Sequence, residues 1–169
     1  MGKSSLMMVG ADAASAAGAG VHVFAFEDSD ESLADRAMSG LSGVAAESIR
    51  NFSLNRGELG QIGNAMNRLT ARKNWRVERR PSPYVDDIVR AVRRDVAELR
   101  TALVFVDYVQ LLRGPRSRKY RTGDREQELS DIATELMQAA REDSIAYVLG
   151  SQLNRGCEQR DDKRPMASD

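Results

Sequence analysis

Short stretches spread along the chain carry the residue types that handle phosphate and a divalent cation. Gly2-Lys3-Ser4 is the second half of the phosphate-binding pattern G-x-x-x-x-G-K-[ST]. In that pattern the lysine neutralises terminal phosphates and the hydroxyl ligates magnesium. The helix that follows adds backbone N–H groups and a favourable dipole. Asp107 closes the apolar run Leu103-Val104-Phe105-Val106, where parallel sheets place ligand chemistry. It reads as the acid that holds magnesium, usually through water; taken alone, it is as readily a strand-end turn or a helix cap. Glu27 ends the run Val21 to Phe26, where a carboxylate can polarise the water that attacks a γ-phosphate. It is equally one of the solvated acids in Glu27-Asp28-Ser29-Asp30-Glu31. Gln152 follows the run Ile145 to Gly150. Its amide suits a γ-phosphate sensor or a hydrogen-bonded strand end. The expected ligands are therefore ATP and Mg2+. Gly2, Lys3, Ser4, Asp107 and Gln152 would bind nucleotide, Ser4 and Asp107 the metal, and Glu27 would be catalytic.

Two basic stretches are candidates for nucleic acid. The first holds Arg113, Arg116, Arg118, Lys119 and Arg121 around Tyr120, a pattern suited to phosphate contact and base stacking. The second holds Arg155, Arg160, Lys163 and Arg164, diluted by Glu158, Asp161 and Asp162. The competing reading of both is a solvated, flexible loop. The 25 basic and 25 acidic residues cancel, so any attraction to nucleic acid is local and is strongest where several copies are brought together.

Positioning these residues requires alternating strands and helices. Lys3 to Ala17 suits a helix. Val21 to Phe26, with His22 as a packed or hydrogen-bonded member, suits a buried strand. Ser29 or Asp30 can cap a helix whose apolar face is Leu33, Ala34, Ala37, Met38 and Leu41. Ala45 to Asn51 suits a short helical turn. Leu59, Ile62, Met66 and Leu69 stripe a helix over about 57–73, a pattern expected of core packing. Trp75 to Arg79 suits an edge strand. Val85, Ile88, Val89, Val92, Val96 and Leu99 mark a strongly amphipathic helix, with Asp86, Asp87, Arg90, Arg93, Arg94, Asp95 and Glu98 on a solvated face. Asp124 to Glu142 is the clearest helix, and Ile145 to Gly150 the last buried strand. The order predicts a mostly parallel sheet with helices on both faces.

The bulk composition sets limits. With 169 residues, 41% hydrophobic and 30% charged, the chain can bury one core. A single cysteine, Cys157, excludes an internal disulfide and fits a reducing compartment. One histidine argues against a Cys/His zinc site. No stretch reaches the apolar length of a membrane span, and Met1 to Gly20 lacks the pattern of a signal peptide.

The motifs Met1-Gly2-Lys3-Ser4-Ser5, Val106-Asp107-Tyr108-Val109-Gln110-Leu111, Ser151-Gln152-Leu153-Asn154-Arg155 and Asp162-Lys163-Arg164-Pro165 resemble, in order and separation, those of the DnaB-type replicative DNA helicases. Phe26-Glu27-Asp28-Ser29 departs from the Glu-Met usual in bacterial members and looks closer to phage or divergent ones. The resemblance implies an α/β, RecA-like P-loop NTPase core, a homo-hexamer on single-stranded DNA, and ATP between subunits. It implies Glu27 as the catalytic glutamate, Gln152 as the γ-phosphate sensor, and DNA loops after Leu112 and after Asn154. Primase and a helicase loader are the expected partners, without a membrane, in the cytoplasm of a bacterial or phage-infected cell. The same resemblance makes residues 1–169 a partial motor domain, incomplete at both ends. The first strand, the start of the phosphate loop and the C-terminal strands would lie outside it, so the segment alone is expected to bind nucleotide poorly. Two other readings are a recombinase of the same fold, and a non-catalytic interaction fragment.

Overall fold

The apolar run at Leu103 lies inside a parallel sheet. The computed structural model describes residues 3–26, 30–79 and 83–152. Within them the chain forms α1 (Lys3–Ala16), β1 (Gly20–Ala25), α2 (Asp30–Ser42), α3 (Ala46–Arg50), α4 (Arg56–Ala71), β2 (Trp75–Arg79), α5 (Val85–Leu99), β3 (Thr101–Asp107), a 3-10 turn at Val109–Leu111, α6 (Arg125–Glu142) and β4 (Ala146–Leu149). The strand order is β2-β1-β3-β4, all pairs parallel.

Side-chain alternation explains why β1 and β3 read as continuous apolar runs. Val21, Val23 and Phe105 turn to one face, against Met7, Met8 and Ala11 of α1 and Ala37 of α2. Phe24, Val104 and Val106 turn to the other, against Val85, Ile88 and Val92 of α5 and Ile132 and Leu136 of α6. With both faces covered, neither alternate position can be polar without a partner. Each fully buried aliphatic or aromatic side chain contributes about 1.5–3 kcal/mol. The α5–β3 connection is tight because Arg100 takes a left-handed conformation (φ 53°). Gly20 lies so close beneath it that an added Cβ would sit 2.3 Å from the Leu99 carbonyl.

His22 is the polar exception in β1, and it is partnered as a packed strand residue. Fully buried and stacked on Phe24, it places Nδ1 2.6 Å from Asp95 and Nε2 3.2 Å from Glu78. Asp95 also accepts from Arg76. This overturns the expectation that Asp95 lies on the solvated face of α5. The polar stripe contained one residue facing inward, and a histidine on β1 needed its carboxylate.

Two further expectations are corrected. The Leu59, Ile62, Met66 and Leu69 stripe is not core: Leu59 and Met66 are 54% and 52% exposed, and in α4 only Ala65 is buried. The helix stands on α2 rather than on the sheet. An Asn55–Glu58 capping box defines its start. β4 is not a buried strand, because it is the sheet edge among the described residues; Ala146, Val148 and Leu149 are exposed. The edge position of β2 matches expectation.

Candidate nucleotide site and basic loop

Parallel pairing brings the strand ends together. Ala25 lies opposite Asp107, and Phe26 N–H donates to the Asp107 carbonyl at 2.9 Å. Gly150 N–H donates to the Val106 carbonyl at 2.8 Å. Asp107 is buried. Its Oδ2 accepts the Ser4 hydroxyl, so the first turn of α1 is seated on the end of β3. Its Oδ1 is buried without a hydrogen-bond partner among the described residues. A buried carboxylate oxygen without a donor costs free energy unless a cation or water meets it. With the Ser4 hydroxyl beside it, that oxygen fits a magnesium site completed by phosphate and water, the way Mg2+ is usually held. Among the described residues no cluster of three or more His, Cys, Asp or Glu side chains forms a closed metal cage.

Cations gather at the same place. Lys3 Nζ lies 4.5 Å from the centre of the Tyr108 ring, and Arg36 of α2 donates to Ser4 Oγ at 3.3 Å. The first turn of α1 contains no acid, so nothing there opposes its dipole for an anion. Tyr108 follows Asp107 through a cis peptide bond. The absence of a Cβ at Gly150 makes room for the acid: an added Cβ would stand 2.8 Å from Met7 Cε and 3.2 Å from Asp107 Oδ1.

Gln152 follows β4 with its side chain exposed, while its backbone is gripped. The Gln110 side chain accepts from Gln152 N–H at 3.1 Å and donates to Gln152 O at 2.9 Å and to Ser151 Oγ at 2.7 Å.

The basic loop after Leu112 is tied to α5 and α6 by ion pairs and hydrogen bonds, while its cations stay exposed to solvent. Arg116 pairs with Asp87 at 2.7 Å and lies over the Tyr84 ring, and its N–H donates to Asp86. Arg118 lies 2.5 Å from Asp131, which also accepts from Tyr120 at 2.8 Å. The hydrogen bond from Arg118, with that from Tyr120, holds the Asp131 carboxyl below its ordinary range. Burial and the bond to Asp131 push the Tyr120 phenol up to about 12. Burial pushes Glu128 up, but the Gly114 N–H and Arg125 outweigh it and hold that carboxyl below its usual value. Gly114 lies directly under the Tyr120 ring, where a Cβ would approach within 2.5 Å. Lys119 and Arg121 are exposed. The loop lines an open hollow of about 570 Å³ that includes Arg113, Arg118, Arg121 and Arg125.

The fold thus gathers Lys3, Ser4 and Asp107 at one point and brings Gln152 to the neighbouring strand end. Arg116, Arg118, Lys119 and Arg121 share one loop. Gly2, Glu27, Arg155, Arg160, Lys163 and Arg164 lie outside the described residues. Sequence reasoning missed Arg36, Asp87, Arg125, Glu128 and Asp131 as partners of this region. Of these, only the Arg125–Glu128 pair, at helical i,i+3 spacing, had a local signal.

Comparison with known proteins gives the family and the fold. Residues 1–169 match the family described as DnaB-like helicase C terminal domain. The replicative DNA helicase DnaC of Bacillus subtilis (strain 168) is 34% identical over 149 residues, 88% of this chain and 32% of that protein. The replicative DNA helicase DnaB of Helicobacter pylori (strain ATCC 700392 / 26695) is 32% identical over 174 aligned positions, 100% of this chain and 34% of that protein. The chain therefore spans about a third of the length of these curated relatives. A solved DnaB-like replicative helicase, described with its interactions with primase, superposes with a TM-score of 0.85 at 25% identity, covering 100% of this chain and 40% of that one. The ATPase domain of G40P superposes with a TM-score of 0.84 at 25% identity, covering 100% and 59%. The parallel sheet, its helices on both faces and these matches together show a RecA-like ATPase fold, and the chain belongs to the DnaB-like helicase C-terminal domain family.

Proposed function

We propose that this chain is part of the motor of a longer replicative DNA helicase, which couples ATP hydrolysis to movement along single-stranded DNA and to duplex unwinding. The observation that carries the reading is the Ser4–Asp107 hydrogen bond beside Lys3, with the second Asp107 oxygen buried and unpartnered. Lys3 and the start of α1, with Gly2, bind the terminal phosphates. Ser4 and Asp107 hold Mg2+, which would offset phosphate charge as the γ-phosphoryl group is transferred. Glu27, following the strand that pairs with β3, orients and polarises the attacking water. Gln152 senses the γ-phosphate. Arg116, Arg118, Lys119 and Arg121, with Arg155, Arg160, Lys163 and Arg164, contact the DNA backbone.

The working form is a homo-hexamer, in which the two basic segments of each subunit face one strand. That arrangement supplies the local charge that a chain with balanced acids and bases otherwise lacks. A primase partner is supported by the solved relative described with its primase interactions; a loader is expected on the same family grounds. No described helix is long and apolar enough to cross a membrane, and the assembly is expected in the cytoplasm.

The test is Lys3→Ala in the full-length protein, measured as phosphate release with and without single-stranded DNA and as unwinding of a forked duplex. The expected result is a loss of turnover of roughly 100-fold or more, the scale of losing a charge-stabilising group at the reacting phosphate, with unwinding lost in parallel. Unchanged turnover would remove Lys3 from the mechanism. Pairing of homologous strands without unwinding by the wild type would favour a recombinase.

A further inference from the structure

We propose that Gln110 is a positioning residue: its side-chain amide clamps the backbone of Gln152 just beyond the ends of β3 and β4 and thereby holds Gln152 beside the strand end that carries Asp107. This rests on the reading of Gln152 as the γ-phosphate sensor.

A primary amide presents the same donor and acceptor as a peptide group. Gln110 uses both against a single residue, since Oε1 accepts from Gln152 N–H at 3.1 Å while Nε2 donates to Gln152 O at 2.9 Å. Two reciprocal bonds to one residue differ from the slanted bonds of the parallel β3–β4 ladder, which run to two separate partners, so the amide grips Gln152 as a clamp of its own. The orientation of the amide follows from its partners, because Gln152 N–H can only donate and its carbonyl can only accept. Nε2 reaches Ser151 Oγ as well, at 2.7 Å. The clamp lies just past two backbone bonds: Gly150 N–H donates to Val106 O and Val109 N–H donates to Gly150 O, both at 2.8 Å. Past that point no further backbone bond joins the two segments among the described residues, and the Gln110 side chain makes the next contact.

The other side of Gln110 is tied to the basic loop. Its carbonyl accepts from Arg125 at 2.7 Å, and the same guanidinium nitrogen reaches Leu112 O at 3.0 Å. Arg125 pairs with Glu128, whose Oε1 accepts Gly114 N–H at 3.0 Å. Gln110 thus stands three residues after Asp107 with the Gln152 backbone on one side and the start of the loop on the other. A shift of Gln152 is felt at Gln110 first. Between Gln110 and the loop, the Arg125–Glu128 pair carries the side-chain contacts among the described residues.

Gln110→Glu is the informative variant. It retains the acceptor for Gln152 N–H, removes the donor to the Gln152 carbonyl and sets a carboxylate against it, while the Ser151 hydroxyl can turn to donate to that carboxylate. In the full-length protein the expected result is an about tenfold fall in the DNA-stimulated kcat, with KM for ATP within about twofold. In a Gln152→Ala background the same substitution is expected to add less than about twofold, since both act at one point. The Gln152 amide is expected to be protected from hydrogen exchange in the wild type and to exchange faster in Gln110→Glu; this readout does not need the variant to turn over. Wild-type stimulation in Gln110→Glu, with Gln152→Ala impaired, overturns the brace alone. Full stimulation in Gln152→Ala overturns the sensor reading and the brace's purpose with it. An unprotected Gln152 amide in the wild type overturns the proposal even where the variant fails to fold.

Discussion

The Ser4 hydroxyl and the Asp107 carboxylate are hydrogen-bonded across 103 residues of sequence. One bond seats the start of α1 on the end of β3, so Lys3 and Asp107, the proposed phosphate and metal residues, share a single junction. Ser4→Ala leaves a second buried Asp107 oxygen without a donor. The expected cost is about 1–3 kcal/mol of stability, read as a lower urea midpoint at unchanged slope. In the full-length protein, turnover is expected to need more Mg2+ to saturate.

Gly150 lets that junction close. A methyl group there meets Met7 Cε and Asp107 Oδ1, so Gly150→Ala must move the acid or the methionine. The expected destabilisation is about 1–3 kcal/mol, with turnover falling further than stability because the displaced group is the proposed metal acid. Gly150→Ala with wild-type turnover would show that the junction has slack.

Asp95 holds His22 and Arg76 from the centre of α5. Asp95→Ala removes a fully buried charge and leaves its partners facing apolar surface. The expected loss is about 3–5 kcal/mol, measured by chemical denaturation, while Asp95→Asn, which keeps an acceptor, loses less. An exposed-residue effect of under 0.5 kcal/mol for Asp95→Ala would mean the cluster adds nothing to the fold.

The basic loop is latched by carboxylates held in their ionised form. The Asp131 and Glu128 values both lie below their ordinary 3.8 and 4.5. A depressed native value contributes stability that is fully present above the ordinary value and is lost as pH falls through the native one. Protection of the Gly114 amide, corrected for the intrinsic exchange rate, is therefore expected to hold from pH 7 to about 5 and to drop only below the ordinary carboxylate range. At neutral pH, Asp131→Asn is expected to speed tryptic cleavage at Arg118 and Lys119. Asp87 and Asp131 hold Arg116 and Arg118; if these arginines contact DNA as proposed, Asp87→Asn is expected to tighten DNA binding at low salt.

Much of the fold was legible because its signals are local. Leu103 to Val106, and Val21 to Phe26 apart from His22, are apolar without alternation, the habit of strands buried on two faces. Helix periodicity located α5 and α6 within a residue or two. The stripe of α4 misled, since periodicity states which side chains share a face but not whether another element covers it. Ile145 to Gly150 misled for the same reason: a strand's apolar content does not reveal that it lies at an edge. Asp95 was unreadable among the charges of α5, because its partner His22 is 73 positions earlier and joins it only through the sheet.

The sequence alone determined the residue types of the nucleotide site, their order at helix start and strand ends, and the alternation that demands a parallel sheet. Those follow from short-range pattern, where one residue's chemistry suffices. Tertiary structure decided which groups meet: Ser4 on Asp107, Gln110 on the backbone of Gln152, and the loop arginines on Asp87 and Asp131. Each of these contacts depends on distance and direction across packed elements. Hydrogen bonds and ion pairs act over a few ångströms, a separation that only the folded sheet sets.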